Sequence, residues 1–182
     1  MRKRIICILL SLVMIAFAGC DRNKMTKMDV DDAVTVEQLN TSSALVVRGF
    51  FEALFTNNRE MFEKCFPEEF INGLKEDNID MFAQYSQSLA MPGEFAGTQY
   101  LNYNELSAEG GYDDWEVFRN GISEIQGIPA DQIEAMQIVQ IKVYFVNDGE
   151  NQYIEIYSIA YEYGGSWYMY EIQNSNAEFD EK

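Results

Sequence analysis

One dipeptide, Asp148-Gly149, constrains this chain more than any other pair of residues. It separates two β-rich runs, Gln137 to Asn147 and Gln152 to Tyr163, and Asp-Gly between such runs predicts a two-residue type I′ hairpin. Asn147 then faces Glu150, and the register of the whole hairpin follows. Tyr144 meets Tyr153, Val143 meets Ile154, Lys142 meets Glu155 and Ile141 meets Ile156. Like meets like, and the single lysine of the run meets a glutamate, as cross-strand neighbours reward. A slip of one residue would spoil all four pairs.

Gly164-Gly165 predicts the next turn, pairing Tyr161 with Tyr168, Ala160 with Met169 and Ile159 with Tyr170. The result is a three-stranded antiparallel meander with two different faces. Val139, Ile141, Val143, Phe145, Ile154, Ile156, Ala160, Trp167 and Met169 make one face aliphatic and fit for packing on helices. The other face carries Tyr144, Tyr153, Tyr157, Tyr161, Tyr168 and Tyr170 with Ile159, Ile172, Lys142 and Glu155. A tyrosine face suits a half-wet surface, because each ring is apolar and each hydroxyl needs a partner.

Upstream the period changes from two to three and four. Ser42 or Ser43 can cap a helix carrying Leu45, Val46, Phe50, Leu54 and Phe55, which ends at Asn57-Asn58. Residues 59–66 form a second short helix with Met61, Phe62, Cys65 and Phe66 inward, and Pro67 breaks it. Helical spacing continues through Phe70, Ile71, Leu74, Ile79, Phe82 and Leu89 until Pro92-Gly93. Cys65, among apolar positions and without a basic neighbour in that face, is expected as a core thiol rather than a nucleophile. Residues 98–106 are expected as a strand, Gly110-Gly111 as a turn, and Asp113-Asp114 as the start of a helix with Trp115, Phe118, Ile122 and Ile125 on one side. A further short helical turn is expected from Pro129. Helices followed by a strand, a helix and an antiparallel meander give an α+β domain.

The N-terminus has a different character. Arg2, Lys3 and Arg4 precede an uncharged apolar stretch from Ile5 to Phe17, and Ala18-Gly19-Cys20 leads into polar sequence at Asp21. The stretch is shorter than the roughly 20 residues of a membrane span, and the order of charge, apolar core and small-residue exit is that of a secretory signal. Phe17-Ala18-Gly19-Cys20 resembles the lipobox of bacterial lipoproteins, with Phe17 where an aliphatic residue is usual. That resemblance implies a signal peptide over 1–19, a diacylglyceryl thioether on Cys20, and a place on the extracytoplasmic face of the cell membrane. Residues 20–41 are then expected as a flexible tether and 42–182 as a single domain. Asp29, Asp31 and Asp32 lack the glycine and distal glutamate of a calcium loop, and are taken as solvated linker residues.

Charge removes several functions. The 182 residues hold 13 Lys and Arg against 30 Asp and Glu, a formal net charge of −17, and no His. Loss of Arg2, Lys3 and Arg4 with the signal would deepen this to −20. So acidic a chain repels nucleic-acid backbones, and without His it has neither Ser-His-Asp catalysis nor imidazole metal sites. No metal, cofactor or catalytic residue is assigned.

The opening helices over 45–66 and the closing strand pair over 161–173 resemble the NTF2-like, or cystatin-like, cone fold. The resemblance covers about residues 42–173. It implies helices packed on a curved antiparallel sheet, and relatives include isomerases and dehydratases that use a pocket carboxylate. Glu155, Glu162 and Glu171 lie on strands, but Glu155 already has Lys142 opposite. Two other uses remain open. One is a carrier or sensor for a small apolar ligand lined by Phe50, Phe62, Phe145, Trp167 and Met169. The favoured one is a non-catalytic binding module, whose tyrosine face meets a protein, a polysaccharide or a second copy of the chain.

Overall fold

The structure, a computed structural model, describes residues 28–89, 91, 93–107 and 114–173. The expected signal peptide, Cys20, residues 21–27 of the expected tether, Pro92, the Gly110-Gly111 turn, Asp113 and residues 174–182 lie outside the described residues.

Asp148 and Gly149 both take positive φ, 53° and 78°, as a type I′ turn requires. They join β2, Ile133–Asn147, to β3, Glu150–Tyr163, and all four expected side-chain pairs are present. The ladder continues back to Ile133 opposite Tyr163, so β2 begins earlier than its β-rich run suggested, and β3 gains Glu150 and Asn151 at its start. β4, Ser166–Gln173, pairs with β3 through Tyr161–Tyr168 and Ala160–Met169 as expected. The third expected pair is corrected. The register shifts at Tyr170, so Ile159 faces Glu171 rather than Tyr170. A bulge residue reverses the alternation beyond it, and Ile172 packs with the aliphatic side instead of the tyrosine side. A fourth strand, β1, Glu94–Leu106, adds antiparallel to β2 and gives the order β1-β2-β3-β4.

The helical half follows its caps. Ser42 accepts a hydrogen bond from Leu45 N–H and opens α1, Ser43–Phe55, while Asn58 does the same from Met61 N–H for α2, Arg59–Lys64. The apolar period over 67–91 is cut in two, because Asn78 turns left-handed at φ 57° and Asp80 caps a new helix. The pieces are α3, Glu68–Glu76, and α4, Met81–Ser88. α1 lies on the inner sheet face, where Phe50, Phe51, Val139, Ile141 and Val143 are fully buried. Each such side chain contributes about 2 kcal/mol by leaving water. Edge-to-face rings, Phe50–Tyr85 and Phe62–Phe82, both at 5.2 Å, carry the core outward to α2 and α4. Cys65 is buried there, and burial pushes its thiol far above the usual range. One polar atom is stranded: Ser158 Oγ is the only buried side-chain N or O without a hydrogen-bond partner among the described residues.

The stretch from 28 to 41 belongs to the domain rather than to a tether. Leu39 is fully buried, Val34 nearly so, and Leu39–Thr41 forms a 3-10 turn against α1. Val34 N–H donates to Glu52 Oε2 at 2.8 Å, Thr98 Oγ1 donates to Glu52 Oε1 at 2.6 Å, and Arg48 Nε donates to Thr98 Oγ1 at 3.0 Å. Arg48 also reaches the Asp32 carbonyl. Two of the three aspartates considered for calcium have carboxylates spent on local partners, and Asp32 contributes its backbone carbonyl. Asp29 accepts from Gln99, Asp31 from Tyr100 N–H, and the Asp31 carboxylate lies 3.6 Å from Arg48. Apolar residues at 34 and 39 were the only sign of this strap in the sequence, too sparse to show a period.

Two outcomes follow from this packing. Glu52→Ala leaves the Val34 amide unpaired and takes from Arg48 its buried carboxylate partner, and is expected to lower stability by about 3 kcal/mol in urea unfolding while making residues 28–34 protease-sensitive. Ser158→Ala removes an unpaired buried hydroxyl and is expected to raise stability by about 1 kcal/mol; an unchanged or lower unfolding midpoint would contradict the unpaired assignment.

Candidate functional site: the outer face of the sheet

The same alternation that sends Val139, Ile141 and Val143 inward turns Lys142 and Tyr144 outward, and β3 answers with Tyr153, Glu155 and Tyr157. Helix α5, Asp114–Gln126, covers part of this outer face. Its apolar side brings Trp115, Phe118 and Ile122 onto Ile138, Ile159 and Tyr161, making a second core. Ile125, expected on that side too, packs against the first core instead. Gly121 permits the approach, since a Cβ there would stand 2.3 Å from the Tyr170 hydroxyl. Gln126 pins the end of the helix: it accepts from the Tyr161 hydroxyl and donates to the Met169 carbonyl at 3.0 Å.

The six tyrosines named from the sequence are therefore divided. Tyr161, Tyr168 and Tyr170 belong to the α5 side. Tyr161 is fully buried with its ring 5.9 Å from Tyr168, and burial pushes its hydroxyl far above the usual tyrosine range. Tyr170 meets Phe118 edge-on at 6.4 Å, and burial, followed by the charges of Glu171 and Glu124, pushes it up to about 12. Tyr161 and Tyr170 hold the helix through Gln126 and Phe118, and Tyr168 packs beside Tyr161.

Tyr144 and Tyr153 lie beyond the second core, and Tyr157 stands at its border, packed against it. Tyr144 is buried along its ring, donates to Gln99 Oε1 at 2.8 Å, and lies 5.8 Å from Tyr153. Desolvation first, and the nearby Asp29 carboxylate second, raise its pKa. Tyr153 and Tyr157 are half-buried. Lys142 Nζ sits 4.5 Å over the Tyr153 ring and 3.5 Å from Glu155, the ion pair expected from the hairpin register. Gln140 Nε2 donates to the Tyr157 hydroxyl at 2.8 Å and to Glu155 at 3.2 Å. Burial, then the Glu155 charge, raises the Tyr157 pKa. The group presents aromatic rings, a carboxamide, a carboxylate and an ammonium in one layer, which suits hydrogen bonding and ring contact with a polar partner.

A second concavity was not expected. Glu68, Glu69, Asp131, Glu134, Tyr163 and Tyr168 line a broad cleft of about 670 Å³ at the far end of β2 and β3. Local sequence carried no signal for it, because α3 and the start of β2 are distant in the chain. It is acidic for a plain reason. Each of the six Lys and Arg side chains among the described residues lies within ion-pair distance of a carboxylate elsewhere: Arg48, Arg59, Lys64, Lys75, Arg119 and Lys142. No cation among the described residues pairs with the four carboxylates of the cleft. A smaller cleft of about 300 Å³ between α2, α3 and α4 is bridged by Arg59–Asp80 and Lys75–Glu63 over an apolar floor.

Phe50, Phe62, Phe145 and Met169, named as a possible ligand-cavity lining, are all buried among their neighbours, and Trp167 packs partly buried against them. Among the described residues no three His, Cys, Asp or Glu side chains converge as metal ligands, and no helix is long and apolar enough to cross a membrane. No protein-family model, curated protein or solved structure matches the chain.

Proposed function

We propose that this chain is a lipid-anchored extracytoplasmic binding module, attached to the cell membrane through Cys20, that meets its partner on the part of the outer sheet face beyond α5. The observation that carries the recognition half is the division of the tyrosines. Tyr161, Tyr168 and Tyr170 pack into the second core with α5, whereas Tyr153 lies outside that core and Tyr157 at its border, both half-buried beside Lys142, Glu155 and Gln140. Tyrosine is enriched at recognition surfaces because it supplies a rigid ring and a polar end at small entropic cost. The anchoring half rests on the lipobox resemblance at Phe17-Ala18-Gly19-Cys20. The NTF2-like reading of the fold is supported by the helical layer on one face of a single antiparallel sheet.

The surface reading is favoured over a carrier because the rings of α1, α2 and α4 pack against one another in the core. Phe50 lies 5.2 Å from Phe62 and 5.2 Å from Tyr85, with Phe66 at 6.0 Å. It is favoured over the enzyme reading because Glu155 is held by Lys142 and Gln140, as a structural carboxylate would be.

Crosslinking and capture from intact cells test recognition. Tyr153→Ser with Tyr157→Ser is expected to abolish the captured partner while the chain still unfolds cooperatively, at a lower midpoint because two half-buried rings are lost; undiminished capture would refute this surface. Cys20→Ser is expected to move the protein from the membrane fraction to the soluble extracytoplasmic fraction, and retention in membranes would refute lipid attachment.

A further inference from the structure

The two edges of the sheet are treated differently. The β4 edge is sealed along its middle: Met169 N–H donates to the Cys65 carbonyl at 2.8 Å, Gln126 donates to the Met169 carbonyl, and Asn40 Nδ2 donates to the Trp167 carbonyl at 2.7 Å. The first half of the β1 edge is sealed by the strap, through Asp31 N–H on the Thr98 carbonyl at 2.9 Å and Tyr100 N–H on Asp31 Oδ2 at 2.7 Å. Beyond Tyr100 the seal stops. Asn102, Tyr103, Asn104 and Glu105 are all exposed, Tyr103 by 45%, and among the described residues nothing hydrogen-bonds their outer side. An open edge is a template for another strand. Here it lacks the lysines and prolines that usually discourage pairing.

We propose that this half of β1, Leu101 to Leu106, is a docking edge at which a second copy of the chain adds its own β1 antiparallel, continuing the sheet from one molecule into the next. Charge selects the occupant. In a chain of net charge −17, these six residues carry one charge, Glu105, so two copies approach one another here with little local repulsion. The edge also accepts extended chain already, since the strap pairs with it at Thr98. The register is self-complementary. Asn102 and Asn104 share the outer face, opposite Gln140 and Ile138, while Tyr103 and Glu105 share the inner one, opposite Val139 and Gln137. A two-fold axis perpendicular to the sheet keeps each face continuous, so only residues of one face pair. Centred on Asn104, it sets Asn104 against Asn104 of the second copy and Tyr103 against its Glu105, and no carboxylate meets a carboxylate.

A six-residue edge buries well under the roughly 1,000 Å² of a stable interface, so the pairing is dynamic and trapping is the suitable readout. The full chain carrying Asn104→Cys is oxidised in intact cells and followed on non-reducing gels. Opposed strand residues lie about 4.5–5.5 Å apart at Cα, within disulfide reach, and the native Cys65 is buried and does not compete. Val117→Cys, on the exposed side of α5 at 64% exposure, is the control for random collision. The disulfide dimer is expected to form on the order of tenfold faster at 104 than at 117, as pre-association raises the effective thiol concentration. In the Asn104→Cys background, Tyr103→Lys faces Glu105 of the second copy and is expected to speed trapping; Tyr103→Glu is expected to slow it. Equal rates at 104 and 117, insensitivity to the charge at 103, or trapping only of other proteins overturns the proposal.

Discussion

The pairing of β2 with β3 is the constraint on which the other elements depend. It runs unbroken from Asn147–Glu150 to Ala135–Glu162 and ends, past one irregularity, at Ile133–Tyr163. Strand side chains alternate with period two, so a slip of one residue would turn Val139, Ile141 and Val143 outward and bring Lys142 and Tyr144 under α1. α1 would lose its apolar bed, α5 would lose Ile159 and Tyr161, and the Lys142–Glu155 pair would part. One turn with two positive φ angles, closed by Asp148 and Gly149, holds this register at one end.

That dependence explains which parts were legible in the sequence. The hairpin pairs, the helix cap at Ser42 and the core position of Cys65 are local or nearly local features, written in turn chemistry and apolar spacing, whereas the break at Asn78 with its new cap at Asp80 was hidden by the continuing apolar period. The β4 bulge was not, because nothing in residues 166–173 distinguishes a regular strand from one with Tyr170 displaced. The cause lies in tertiary packing: the bulge lets Tyr170 meet Phe118 and Gly121 on one side while Ile172 joins the first core on the other. The strap was missed for a related reason. Its hold comes from Arg48, Glu52 and Thr98, polar residues whose burial only the assembled tertiary structure reveals.

The candidate site was legible only in part. Sequence alternation put six tyrosines on one face, but it could not say that α5 would settle on three of them. The helix is amphipathic and had to bury its apolar side somewhere, and the outer face near Ile138 and Ile159 was the apolar surface left to it. The tyrosines that remain are those whose neighbours are Lys142, Glu155 and Gln140, polar groups that would be costly to bury beneath an apolar helix. The gradation from Tyr161, deep in the second core, through Tyr157 at its border to Tyr153 outside it thus follows from the composition of the strands themselves.

Acidity acts on the molecule by a similar elimination. Six cations among the described residues are each within ion-pair distance of a carboxylate, so the surplus negative charge falls on whatever surface is left, including the cleft of Glu68, Glu69, Asp131 and Glu134. A field of one sign keeps like molecules apart over about a Debye length, except where two surfaces are locally neutral. The Lys142–Glu155 layer and the Asn102–Tyr103–Asn104 edge are two such places, and they lie on one sheet at different positions: one on its face, the other on its rim. Contact at the rim extends the sheet without covering β3, so Tyr153 and Tyr157 stay accessible when β1 is paired.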